Sequence, residues 1–155
     1  MSKIERKFLA HYIDAGKDTF IRLGQDLEEY SPELSATVEK TKNILGQTAV
    51  SITGYEKSAP VEPYYAQLGD PLFARLQAII DGDLVLDALK TQVVEVKLWE
   101  GEGSQYPAVK EEAYIEVTSY GGDTTGYQIP FTVHYTGIKE RGTFDVSTKT
   151  FTAAG

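Results

Sequence analysis

Tyr127-Gln128-Ile129-Pro130-Phe131-Thr132-Val133-His134-Tyr135-Thr136 alternates large apolar and polar side chains over ten residues. Strict period two, carried by aromatic and β-branched residues, is the pattern of a half-buried strand and cannot sit on a helix. Pro130 lacks a donor for the ladder, so the pattern predicts an edge or a bulge there. The same alternation recurs upstream in Ala113, Ile115 and Val117 against Tyr114, Glu116 and Thr118. It recurs again over Thr91 to Trp99, where Val94, Val96 and Leu98 alternate with Val93, Glu95, Lys97 and Trp99. Downstream, Thr143 to Val146 precede a Ser147-Thr148-Lys149 turn and Phe151, a short terminal strand or hairpin.

The first third continues the theme. Phe8 to Ile13 and Thr19 to Leu23 flank polar Asp14-Ala15-Gly16-Lys17-Asp18, which predicts a hairpin. Leu34 to Lys42 and Gln47 to Tyr55 flank Asn43-Ile44-Leu45-Gly46, a second hairpin whose arms are rich in Thr, Val and Lys. Val38 has only Val50 and Ile52 as apolar partners. An isolated two-stranded ribbon is marginal in water, so this one requires support from elsewhere in the chain or from another chain. One helix is signalled over 70–81. Asp70 caps it, Pro71 fits the first turn, and Leu72, Phe73, Leu76, Ile79 and Ile80 form a stripe that Asp81-Gly82 ends. Asp83 to Leu89 can add a turn of helix or run as loop.

The sum is a mainly β chain with one flanking helix, a β-sandwich or small barrel forming a single domain over 1–155. At 155 residues and 17.1 kDa, a compact fold would expose roughly 7,800 Å² of surface and bury close to 70% of what the open chain exposes. The chain has no cysteine, which removes disulfide scaffolds, thiolate zinc sites and cysteine nucleophiles. Its net charge of −8 argues against nucleic-acid binding through a basic face. Residues 61–116 hold eleven acids against Arg75, Lys90, Lys97 and Lys110, so nearly the whole excess lies in the middle third. Met1 to Phe8 is not a secretory signal and no run approaches the ~20 apolar residues of a membrane span, which predicts synthesis and folding in the cytoplasm without a membrane partner.

Catalytic patterns are weak. His11 and His134 are the only neutral-pH bases, and both read as surface histidines. Asp81-Gly82-Asp83 with Asp87 lacks the spacing of a calcium loop and reads as helix punctuation. Glu28-Glu29 and Glu111-Glu112 are neighbours that a strand points to opposite faces. Gly101-Glu102-Gly103 and Gly121-Gly122-Asp123 read as turns, neither leading from strand to helix as a phosphate loop must. No enzyme, cofactor or metal site is therefore expected.

Several stretches carry a resemblance. They are Ile21-Arg22-Leu23-Gly24-Gln25-Asp26-Leu27-Glu28-Glu29-Tyr30, Lys42-Asn43-Ile44-Leu45-Gly46 with Gly54-Tyr55-Glu56, and Gly69-Asp70-Pro71-Leu72-Phe73. Ser119-Tyr120-Gly121-Gly122-Asp123-Thr124 leading into Gln128-Ile129-Pro130-Phe131, and Gly142-Thr143-Phe144-Asp145-Val146, complete the set. In order and spacing the sequence resembles the major tail tube proteins of long-tailed, siphovirus-like bacteriophages of Gram-positive bacteria and of related phage-derived particles. The resemblance implies homohexameric rings stacked into a tube in the virion tail. Such a tube holds a tape-measure protein, then passes DNA, and meets tail tip or baseplate and terminator proteins at its ends. It implies no enzymatic activity.

Two expectations join the residues to that resemblance. The 34–55 ribbon, with Asn43, Ile44, Leu45 and Gly46 at its tip, is expected to reach an adjacent ring or protomer, where burying Ile44 and Leu45 would contribute about 3–5 kcal/mol. Six copies at −8 each would carry about −48, a charge that keeps DNA from adhering to a lumen. The competing classes are a monomeric β-sandwich binding module for carbohydrate or a small ligand, with Trp99, Tyr106 and Tyr120 as stacking platforms, and a small-ligand β-barrel enzyme using His134 with a carboxylate.

Overall fold

The computed structural model describes residues 1–16, 19–24, 29–101 and 103–154. Lys17-Asp18 of the first hairpin's loop, Gln25-Asp26-Leu27-Glu28 of the first resembling stretch and Glu102 lie outside the described residues, so the readings placed on them stop there.

The strands are β1 (Leu9–Asp14), β2 (Phe20–Arg22), β3 (Ala36–Lys42), β4 (Thr48–Tyr55) and β5 (Ser58–Val61). Helix α1 (Pro71–Gly82) follows, then β6 (Lys90–Lys97), β7 (Gln105–Val117), β8 (Gly121–Asp123), β9 (Gly126–Gln128), β10 (Phe131–Asp145) and β11 (Thr150–Ala153). The chain is mainly β with one α-helix. Antiparallel strands in the order β11-β10-β7-β6-β1-β2, with β5 also on β10, make the main sheet; β3–β4 and β8–β9 are separate two-stranded sheets.

The main sheet curls. In a flat sheet β1 and β10 would lie roughly 14 Å apart and β2 and β10 roughly 19 Å, at about 4.8 Å per strand. Yet the rings of Tyr12 and Phe144 are 4.5 Å apart, and Phe20 meets Phe144 edge-on at 5.9 Å. The concave face therefore closes on its own core of Ala10, Tyr12, Phe20, Val94, Val96, Ala108 and Phe144. The convex face carries a second core in which Leu72, Leu76 and Ile79 of α1 cover Ile13, Val93, Ala113, Ile115, Phe131 and Val133. Val93 faces one core and Val94 the other, so β6 places valines on both faces of the sheet while Val94 and Val96 keep the alternation on one of them.

Local chemistry fixes α1. Asp70 Oδ1 accepts from the Leu72 N–H at 3.0 Å, Pro71 opens the first turn, and Asp83 ends the helix in the left-handed region at φ 48°. Tyr64 donates its hydroxyl to Asp70 Oδ2 at 2.5 Å, and burial with this acidic partner pushes the Tyr64 hydroxyl's ionisation well above the usual range. Arg75 ties the helix to the sheet, donating to the Asp14 carbonyl at 2.6 Å and to Thr91 Oγ1 at 3.0 Å. The Asp83 to Leu89 segment contains a short 3-10 turn at Leu86–Leu89.

Several expectations need correction. The Tyr127 to Thr136 alternation is two strands in different sheets, because Pro130 has no N–H to continue the ladder; its carbonyl instead accepts from the Thr118 N–H at 3.1 Å. Gly121–Asp123 is a strand rather than a turn, and the turn lies at Thr124-Thr125, where Asp123 Oδ1 accepts from the Thr125 N–H at 2.9 Å. Strand β6 stops at Lys97, leaving Trp99 in the following turn. Strand β7 starts eight residues before Ala113. Strand β10 runs on through Gly137, whose φ of 94° accommodates a break in register between Tyr135 and Lys139.

Candidate functional site

The β3–β4 ribbon stands apart from this body. Every residue of both strands is exposed apart from half-buried Gly54. Its register pairs Val38 with Ile52 and Lys40 with Val50, and places Glu39 opposite Ser51 and Thr41 opposite Ala49. One face therefore carries Val38, Val50, Ile52 and the Lys40 stem, and the other is small and polar. At eight residues, β4 reaches about 26 Å from the body.

The tip is preorganised. Asn43 Oδ1 accepts from the N–H groups of Leu45 (2.9 Å) and Gln47 (3.0 Å), while Asn43 Nδ2 donates to Gln47 Oε1 at 2.7 Å. Gly46 takes the left-handed conformation at φ 81° that closes the turn, where a side chain would strain. Between these anchors Ile44 and Leu45 project with relative exposures of 103% and 77%. The four tip residues expected from sequence thus come together as one rigid apolar knob.

At the base, Glu33 and Ser58 exchange backbone bonds at 2.6 and 3.0 Å, and the Tyr135 N–H donates to the Lys57 carbonyl at 3.0 Å, fixing the ribbon to β10. Beside this joint lies a cleft of about 430 Å³ lined by Leu34, Tyr55, Lys57, Glu111, Tyr135, Gly137 and Lys139. Lys57 Nζ reaches Glu111 Oε1 at 2.8 Å and sits 4.6 Å from the Tyr135 ring centre. Tyr135 and Tyr30 share a hydroxyl contact of 2.7 Å, and burial pushes both phenols' ionisation up. Glu111 Oε2 is buried and has no hydrogen-bond partner. None of this was legible in the sequence, since the lining residues lie up to about a hundred positions apart and meet only through the strand register.

The two histidines divide. His134 is half-exposed on the sheet surface, as expected, and its Nε2 lies 2.6 Å from Glu116 Oε1, so a carboxylate does stand beside it. Both side chains are more than half exposed, so the pair stands in water. His11 is not at the surface: it is 2% exposed, its ring tilted by 49° against that of Tyr30 with the centroids 4.6 Å apart, and its Nε2 lies 3.3 Å from Glu95 Oε1. The imidazole holds the Glu95 carboxyl below its usual range. Placing His11 on β1 opposite Glu95 on β6 is what buries it, a pairing that local pattern cannot reveal.

Among the described residues no cluster of three or more acids and histidines could hold a metal ion. Asp81 accepts from Gln77 at 2.9 Å and Asp83 caps the helix, so both act as helix punctuation. Among the described residues no helix is long and apolar enough to cross a membrane. Tyr106 opens β7 and Tyr120 follows its end, roughly 40 Å away along the strand, so with Trp99 they form no common stacking platform. The acidic surplus of the middle third is partly met from outside it, since Lys57 pairs with Glu111.

The accessible surface is 9999 Å², against about 7,800 Å² for a compact chain of this mass, so roughly 60% rather than 70% of the open chain's surface is buried. No protein-family model matches the chain, and no curated protein matches it. Among solved structures, a chain from the six-fold symmetrised cryo-EM structure of the anti-feeding prophage baseplate is similar over 94% of this chain and 99% of its own, at 10% identity and a TM-score of 0.49.

Proposed function

We propose that the chain is a non-enzymatic structural subunit that self-assembles into stacked hexameric rings, forming a tail tube of the phage type. The β3–β4 ribbon carries this reading. Its strands pair along their length with one break in register between Thr37 and Val38, its apolar face and tip stand in water, and among the described residues it meets the body only at its base. The ordered tip argues against a floppy insertion, because a turn held by three side-chain bonds gains nothing unless its shape is used. The surplus of roughly 2,200 Å² over a compact chain matches more than two interfaces of about 800 Å² per partner.

In this reading the ribbon bridges to the adjacent ring or protomer, and the resemblance of the sequence to tail tube proteins supplies the six-fold ring. The particle is a virion tail assembled in the host bacterial cytoplasm. Its channel holds a tape-measure protein and later passes DNA, and tail tip or baseplate and terminator proteins close the ends. Glu62, Asp83, Asp87 and Glu100 are exposed acids with no ion-pair partner among the described residues, the natural source of a DNA-repelling wall. Deleting residues 42–47 should leave a folded monomer that forms no tubes in electron micrographs. Normal tubes from that variant would overturn the proposal.

A further inference from the structure

We infer that the cleft between the ribbon base and the β10 bulge is the receptor for the Ile44-Leu45 knob of a second copy of this chain. The inference rests on the assembly reading and adds the site that the ribbon enters. The tip cannot reach its own cleft, because the paired strands hold it about 26 Å from the base where the cleft opens. A contact between tip and cleft is therefore between copies.

Size, polarity and charge agree. A cavity of roughly 150 Å³ takes one ring-sized apolar group, so about 430 Å³ accommodates both Ile44 and Leu45 with their turn. Leu34 and the rings of Tyr55 and Tyr135 give apolar walls. Asn43 to Gln47 carries no charge, Glu111 is already neutralised by Lys57 at 2.8 Å, and Lys139 is an exposed lining residue whose ammonium can stay in water.

Tip and receptor are different surfaces, so each copy both gives and receives; used head to tail, the contact is heterologous and closes a ring or runs on along a stack. Two side chains bury far less than the ~800 Å² per partner of a stable pair, so the contact holds only when many copies repeat it.

The chain has no cysteine, so introduced ones report without interference. Leu45→Cys and Lys139→Cys both replace exposed side chains and should fold normally. Mixed under mild oxidation at high concentration, they should form about ten-fold more hetero-disulfide than Leu45→Cys mixed with Thr148→Cys on the β10–β11 turn, because docking raises effective concentration. Equal yields would overturn the assignment and give the cleft to another partner. Electron microscopy of the same mixtures separates the two levels. Rings or tubes without the 45–139 bond would sink the cleft but keep the assembly reading. The bond without rings would keep the tip contact and sink the hexameric tube, and neither would sink both.

Discussion

Two antiparallel strand pairs in this chain are alike in hydrogen bonding and opposite in burial. β7–β10 pairs twelve residue positions and buries Ile115, Val133 and Phe131 on one side and Ala108 and Phe144 on the other. β3–β4 pairs seven and buries nothing. Backbone pairing is thus available to both, and side-chain burial to only one. Since a hydrogen bond formed in water nets little while burial supplies most of the driving force, the first pair stabilises the monomer and the second holds its apolar face in reserve.

That contrast can be broken experimentally. The largest effect belongs to the body: Phe144→Ala opens a cavity where three aromatic rings meet and should cost about 3–5 kcal/mol, read from a urea melt. Asp70→Ala removes the α1 cap and the partner of Tyr64, and should cost about 1 kcal/mol or somewhat more in the same melt. A pH titration of stability comes next. His11 holds Glu95 below its usual range, so the ionised carboxylate's contribution is complete above the ordinary carboxylate pKa and is lost as pH falls through the lowered one. Glu95→Gln should therefore show a shallower acid limb than the parent chain; an unchanged limb would remove Glu95 from the linkage. The smallest effect belongs to the ribbon, where Ile52→Ser should change monomer stability by less than about 0.5 kcal/mol while weakening assembly measured by light scattering. A ribbon substitution that unfolds the monomer would erase the distinction between the two pairs.

Much of the architecture is legible in the sequence because its signals are local. Asp70-Pro71 with the Leu72, Leu76 and Ile79 stripe fixes the helix, and Asn43 with Gly46 fixes the ribbon's turn. What is not legible comes from long-range pairing. Glu111-Glu112 reads as strand neighbours on opposite faces without saying which turns inward; Glu111 is the buried one, and Lys57, fifty-four positions earlier, neutralises it. Ile138-Lys139-Glu140-Arg141 likewise hides the continuation of β10, which the ladder with β7 sustains past the bulge at Gly137. The curl of the sheet rests on Tyr12, Phe20 and Phe144, residues whose alternation says only that each faces inward. The ribbon tip could be named from sequence, and the cleft at its base could not.

The most direct measurement is cryo-electron microscopy of the purified full chain over rising protein concentration. Self-assembly predicts six-fold rings that stack, with density for residues 36–55 crossing from each subunit into a neighbour. Separate particles of single-chain mass at every concentration, with the ribbon projecting into solvent, would contradict it.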